Sequence, residues 1–274
     1  MLRAMIHAAV RAVPGTLLFH SWSEARELWD RLVLWLAASA LVLMPDHLHA
    51  LLAGERQRAA LSAAIRGYAE WRNHARGEHG PVFVHGAQPT PIRGRDHLPR
   101  TVRYLHLNPC RKRLVDDPLA WPFSTYRDAL GLAVPAACRP VRDPAGFHAY
   151  VSSDPCVNVA GTPLPAVVSG DRRCDPREVV AAVSALTRTP LGGLRDRGAP
   201  RDLLLRALCT LTDARAGEIA ALAGVDPRTA RRHAGRTEAT IALVARVAGD
   251  PRFAALGDGD LRQLPSWARY RHLR

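Results

Sequence analysis

Residues 41–54 read LVLMPDHLHALLAG, two apolar runs broken only at Pro45-Asp46. Pro-Asp favours a turn, so the pattern predicts two short buried strands folded back on each other. The second strand carries two histidines one residue apart. Side chains alternate across a strand, so His47 and His49 face one side and Leu48 the other. Two imidazoles on one face can chelate a divalent metal. The competing reading makes one a core histidine and the other a surface histidine.

The flanking patterns complete a unit. MIHAAVRAV, from Met5, alternates at Ile6, Ala8 and Val10 and predicts a first strand. SWSEARELWDRLVLWLA predicts an amphipathic helix with Trp22, Leu28, Trp29, Leu32 and Trp35 on one face; Ser21 is its N-cap, with Glu24 in a capping-box position. RQRAALSAAIRGYAEWRNHAR predicts a second helix ended by Gly77 and Gly80. PVFVHGAQPTPIR supplies short extended pieces, and DHLPRTVRYLHLN a third helix stopped by Asn108-Pro109. The order β-α-β-β-α-β, then α, is the ferredoxin-like arrangement: an α+β fold with an antiparallel sheet and helices on one face. WPFSTYRDALGL closes this unit by Leu132.

Residues 133–173 read as a linker with one short helix at PAGFHAYV. A small all-α domain is expected over 174–265, followed by a basic tail at 266–274. Within it, AGEIAALAGVDPRTARRHAGR fits a helix-turn-helix: Asp226 caps the second helix and Pro227 opens it. That helix offers Arg228, Thr229, Arg231, Arg232 and His233 to DNA; the bland reading is a helical bundle with a solvated arginine face.

A formal charge of +13 and a pI near 10.8 point to a polyanionic partner, most often nucleic acid. Lys112 is the only lysine, so the arginine bias is partly compositional, but the excess over acids stays large. Five scattered cysteines without a CxxC argue against a disulfide framework or a thiolate zinc site and suit a reducing cytosol. The charges and Pro45 in the richest apolar region exclude a membrane span there, and no signal peptide is expected at the N-terminus.

The second chemical element is RYLHLNP. Tyr104 and Asn108 lie at i and i+4 of a helix and share a face. A hydroxyl nucleophile and an oxygen ligand could therefore reach one metal-bound phosphate. By itself a tyrosine at this position is more often a packing or capping residue. His106, two residues on, points elsewhere. Tyr126, beside Trp121 and Phe123, reads as structural, and Tyr68 and Trp71 as core or a base-stacking surface.

VLMPDHLHALL and, further on, RYLHLNPCRKRLVDDPLAWPFSTYRDALG resemble the REP-associated tyrosine transposases, relatives of the single-tyrosine HUH transposases of small insertion sequences. That family has an MPNHVHLL-type strand and a YIHLNPVRAGLV-type helix followed by W-SSY. The resemblance covers residues 5–132 in order, with IHAAVR and GPVFVHG as weaker echoes. It implies His47, His49 and Asn108 as ligands of Mg²⁺ or Mn²⁺ and Tyr104 as nucleophile. It implies cleavage of single-stranded DNA at hairpins through a 5′-phosphotyrosine, without ATP, by a monomer or homodimer. Asp46 stands where Asn is commoner, Cys110-Arg111-Lys112-Arg113 replaces Val-Arg-Ala-Gly, and VFVHGAQPTPI lacks the usual Gln-Gly-Arg-Phe run. The helical C-terminal part resembles the DnaA-type DNA-binding domain.

The expectation is a cytoplasmic, nucleoid-associated bacterial transposase that recombines DNA, with Arg100, Arg103, Arg111, Lys112 and Arg113 holding backbone phosphates and the helix-turn-helix holding flanking duplex. Two other classes fit parts of the sequence. A non-catalytic DNA-binding regulator would keep the fold without the adduct. A hydrolase of small phosphoesters would need neither the helix-turn-helix nor the charge.

Overall fold

The computed structural model describes residues 5–84, 88–133, 137–157, 159, 173–232 and 239–248. Its first elements are β1 (Met5–Arg11), α1 (Trp22–Trp35), β2 (Ala40–Leu43), β3 (His47–Ala53), α2 (Glu55–Arg76), β4 (Gln88–Pro91) and α3 (His97–Arg111). The strands form one antiparallel sheet in the order β2-β3-β1-β4. That is the expected ferredoxin-like βαββαβ topology. Alternation sorts the two faces. Ile6, Ala8 and Val10 of β1 join Leu48, Ala50 and Leu52 of β3 in the core with Leu28, Trp29 and Leu32 of α1 and Leu61, Ile65 and Tyr68 of α2.

The hairpin between β2 and β3 turns at Met44–Asp46. The Met44 N–H donates to the His47 carbonyl at 2.7 Å, and Ala12 and Leu18 donate to the carbonyls of Asp46 and Pro45. The outer edge of β2 does not face water bare. Leu43 donates to Phe123, Thr125 donates to Leu41, and the Trp121 indole donates to the Leu43 carbonyl at 2.9 Å. The WPFST segment thus covers an edge that would otherwise offer free backbone groups.

Several local expectations need correcting. Ser21 caps α1 by accepting from Glu24 N, but the Glu24 carboxylate reaches the His20 N–H, not that of Ser21. The same carboxylate takes two hydrogen bonds from Arg76, at 2.7 and 2.6 Å, tying the start of α1 to the end of α2. Trp35 is 55% exposed because the helix ends there and its last side chains overrun the core edge. Asn108-Pro109 does not stop α3, which runs to Arg111. A proline this close to a helix end forfeits one hydrogen bond, and the buried ring packs in the interior. Helices cover more than one face: α3 packs on β2 and β3 and carries Tyr104 to the face that holds His49.

Beyond α3 come a short 3-10 turn at Pro118–Ala120, then α4 (Tyr126–Ala129) and α5 (Pro144–Ser152). The described residues divide into two compact units, 5–84 with 88–131, 137–157 and 159, and 132–133 with 173–232 and 239–248. Much of the expected linker therefore belongs to the first unit. Tyr126 Oη lies 2.8 Å from His148 Nδ1, and Phe147 packs edge-on against His106. These aromatic contacts give the segment a packed partner that a linker lacks.

The second unit contains α6 (Pro176–Thr187), a 3-10 turn at Leu191–Arg195, α7 (Ala199–Leu211), α8 (Ala216–Ala223), α9 (Pro227–Arg232) and α10 (Ala239–Ala248). Val179, Val183, Leu204, Leu208, Ile241 and Val244 fill its core. Asp175 caps α6 and Asp226 caps α9, each accepting a backbone N–H two residues on. Gly224 ends α8 with φ of +65°, and a Cβ there would sit 3.1 Å from Arg195 Cβ. Both its handedness and the close Arg195 side chain demand glycine. Among the described residues, no helix is long and apolar enough to cross a membrane.

His106 supplies a pH test of this packing. It is 1% exposed, near Ser124 Oγ at 3.3 Å and the Tyr126 ring. Burial lowers its pKa from 6.5 to about 3. A depressed histidine contributes stability that is present above the unfolded value, near 6.5, and lost as pH falls toward the folded value. Between pH 7 and 5 that loss is about 2 kcal/mol. His106→Phe should shrink the pH 7-to-5 drop in first-unit stability by about that amount. Urea unfolding followed by tryptophan fluorescence measures it; an equal drop in both proteins would refute the assignment.

Candidate active site

The site begins with the parity of β3. Leu48 is fully buried, and its neighbours His47 and His49 emerge together on the other face, 6% and 5% exposed. Their ring centroids lie 4.9 Å apart, edge to face. Across the sheet, Ala9 pairs with His49 and Arg11 with His47. The helix α3 then adds its own pair. Asn108, 2% exposed, places Nδ2 3.2 Å from His47 Nε2, and the Tyr104 ring lies 5.5 Å from that of His49. All four residues expected at the site are thereby brought to one place. The i,i+4 spacing of Tyr104 and Asn108 is what lets one helix face reach both histidines.

Electrostatics favour neutral imidazole at His49. Burial, reinforced by the positive charge of His47, His7 and Arg11, lowers its pKa to about 3. His47 Nδ1 lies 2.6 Å from Asp46 Oδ1. When the His47 Nδ1–H donates to Asp46, the imidazole turns its Nε2 toward Asn108. Burial raises the Asp46 carboxyl, but the hydrogen bond and charge of His47 outweigh it and hold the group below its ordinary value. The carboxylate thus stays ionised beside its histidine. Asp46 is the residue that departs from the Asn of the resembling family, and a carboxylate makes the stronger acceptor for an Nδ1–H.

His7 was missed in the sequence. Its Nε2 lies 3.0 Å from His49 Nδ1, and its ring meets the edge of Tyr104 at 6.5 Å. Burial, then the charge of His97, lowers its pKa. The available signal was parity: His7 lies at an odd position of β1, opposite in phase to the core residues Ile6, Ala8 and Val10.

Among the described residues, no cluster of three or more His, Cys, Asp or Glu is placed to hold an ion. The set is instead two imidazoles and one carboxamide. An amide rotated by 180° offers oxygen where nitrogen stood, with the same shape. Two neutral nitrogens and one oxygen fit a divalent cation whose remaining positions go to water and phosphate oxygens.

The basic residues fall into two groups. Arg100, Lys112 and Arg113 are exposed. Arg103 and Arg111 both reach Asp154, at 3.3 and 3.2 Å, and Asp154 is only 6% exposed at its side chain. Arg103 also stacks on Tyr150 at 4.5 Å, and Arg111 lies 5.4 Å over the Tyr104 ring. Their charge is therefore partly committed inside the protein. Tyr104 is 38% exposed.

The turn after α3 resolves one sequence departure. Arg113 has φ of +54°, the handedness a glycine takes, and it stands at the glycine position of the resembling pattern. Lys112 donates to Asn108, Arg113 to Cys110, and Leu114 to Pro109, closing the helix in a Schellman-like way despite the side chain. Elsewhere, Tyr68 is a core residue whose Oη donates to the Leu18 carbonyl at 2.6 Å, and Tyr126 is fully buried. In the second unit Arg228 is exposed and Thr229 half-buried on α9; Arg231 and Arg232 belong to the same helix, their side chains undescribed, and His233 lies outside the described residues.

No protein-family model matches the chain, and no curated protein matches it. Among solved structures, it is similar to a REP-associated tyrosine transposase bound to a REP hairpin. The two are 20% identical, the likeness covers 48% of this chain and 81% of that one, and the TM-score is 0.38. At that level the likeness carries no weight for fold or chemistry.

Asp154→Ala should lower first-unit stability by about 1–3 kcal/mol, because two partly buried guanidinium groups lose one shared acceptor. Urea unfolding at low and high salt measures it. A loss below about 0.5 kcal/mol would mean that water already screens the pairs.

Proposed function

We propose that the first unit cuts and rejoins single-stranded DNA by transesterification, with Tyr104 as nucleophile and His47, His49 and Asn108 as metal ligands. The observation that carries the proposal is the His47–Asn108 contact, 3.2 Å across 61 residues of chain, with Tyr104 one helical turn before Asn108 and against His49. Fold alone would not require two ligand-type side chains to meet beside an exposed hydroxyl.

When bound, Mg²⁺ or Mn²⁺ would polarise a phosphoryl oxygen and lower the charge that repels the attacking oxygen. Tyr104 Oη forms a bond to phosphorus as the bond from phosphorus to the 3′ oxygen breaks. The phenol loses its proton and the departing oxygen gains one, which gives a free 3′ hydroxyl and a 5′-phosphotyrosine. Attack by a 3′ hydroxyl reverses these steps and rejoins DNA, so no ATP is consumed. Arg111, over the Tyr104 ring, brings a positive charge close to the tyrosine that receives the phosphoryl group. Exposed Arg100, Lys112 and Arg113 hold flanking phosphates. The α8–α9 helix-turn-helix, with Arg228 exposed, holds duplex DNA beside the hairpin.

The test uses labelled hairpin oligonucleotides from the DNA that flanks the gene. With Mn²⁺, a covalent protein–DNA adduct should survive denaturing electrophoresis. EDTA should abolish it, and Tyr104→Phe should cut it at least 10³-fold while hairpin binding persists, because phenylalanine keeps the ring but not the nucleophile. Binding without any adduct in the wild type would establish the non-catalytic regulator instead. Turnover of small phosphoesters without an adduct would establish the hydrolase.

A further inference from the structure

We infer that His7 is a positioning residue: its Nε2 accepts the Nδ1 proton of His49 and fixes the tautomer in which His49 Nε2 can bind a cation. The inference rests on the ligand reading of His47, His49 and Asn108.

The register makes the contact possible. On β1, Ala9 pairs directly with His49, and His7 pairs with Leu51. His7 is thus the diagonal neighbour of His49 on the same face, a separation that long or aromatic side chains can bridge. The residue directly opposite His49 is only alanine, so its methyl group leaves room for the His7 ring to lean across. The outcome is a 3.0 Å approach of Nε2 to Nδ1, with ring centroids 5.0 Å apart and planes 37° from parallel.

One of the two nitrogens must carry the proton. If His49 Nδ1–H donates, Nε2 keeps its lone pair and can bind metal. If His7 Nε2–H donates, His49 carries its own proton on Nε2 and is lost as a ligand at that atom. His47 shows which arrangement the site uses. Its Nδ1 lies 2.6 Å from the Asp46 carboxylate, which can only accept, so a neutral His47 presents Nε2. The two histidines then have matched roles with different supports, a carboxylate for one and an imidazole for the other. Ligating histidines ordinarily donate the second ring N–H to such an outer partner. An imidazole support adds no negative charge beside an incoming phosphate, which a second carboxylate would repel.

The full chain, ¹⁵N-labelled at histidine, permits a direct reading. Long-range ¹H–¹⁵N spectra report which ring nitrogen of each histidine is protonated, and Mn²⁺ titration reports affinity. Wild-type His49 should be the Nδ1–H tautomer. His7→Leu should move His49 toward Nε2–H and weaken Mn²⁺ binding about 10- to 100-fold. His7→Gln, whose carboxamide oxygen can reach the same place, should restore most of both. A wild-type His49 protonated at Nε2, or a folded His7→Leu with unchanged tautomer and affinity, would overturn the inference. A His7-dependent tautomer in a wild type that binds no Mn²⁺ would instead overturn the ligand reading, and the metal half of the inference with it.

Discussion

The site depends on the burial of Leu48. A strand has a side-chain period of two, so one residue fixed in the core sets both neighbours on the far face. Leu48 is fully buried, as are Ala50 and Leu52 on the same side. A slip of one residue in β3 would put two imidazoles into an apolar core and three aliphatic groups onto the face that meets Tyr104 and Asn108. The energy that holds the register is therefore ordinary hydrophobic burial, of order 1.5–3 kcal/mol for a leucine alone. The chemistry at His47 and His49 inherits that precision without contributing to it.

The same economy governs α3. Leu105 and Leu107 are buried, and Tyr104 and Asn108 occupy the turn facing the histidines. Continuing α3 past Pro109 matters because Asn108 then lies within a helix and not at its frayed end. Its backbone carbonyl accepts the Lys112 N–H at 3.0 Å, which locks the residue whose amide meets His47. Arg113 sustains the left-handed turn that follows. An L-residue there costs about 1 kcal/mol more than glycine. The hydrogen bonds from Arg113 and Leu114 to Cys110 and Pro109 offset that cost, and a cation is kept at the end of the helix.

The fold was legible because periodicity changes cleanly along the first 111 residues. The strand at Met5–Arg11 buries one parity, the helices at Trp22–Trp35 and Glu55–Arg76 bury one stripe, and the strands at Ala40–Leu43 and His47–Ala53 are short apolar runs buried on both faces. The four site residues were legible for the same reason, since His-x-His and Tyr-x-x-x-Asn are statements about faces. His7 was not, because one histidine in a strand becomes informative only when the cross-strand register is known. Asp154 was still less visible. It lies 43 residues beyond Arg111 in a proline- and glycine-rich stretch, and long-range ion pairs leave no periodic trace. Trp35 and Pro109 misled for a local reason: both sit at helix ends, where pattern and propensity rules are weakest.

Asp154 also changes what the positive charge can do. Five basic residues on and after α3 would, if all free, form a phosphate-binding strip with little discrimination. The shared carboxylate ties Arg103 and Arg111, although Arg111 is exposed like Arg100, Lys112 and Arg113. One of the two tied arginines, Arg111, lies over the ring of the candidate nucleophile. A guanidinium held by a buried acceptor and stacked on a ring has less freedom to follow a mobile phosphate. The other exposed cations stay open to solvent, while Arg111 is held over the Tyr104 ring. A single buried acid thus joins two of the five cations on and after α3.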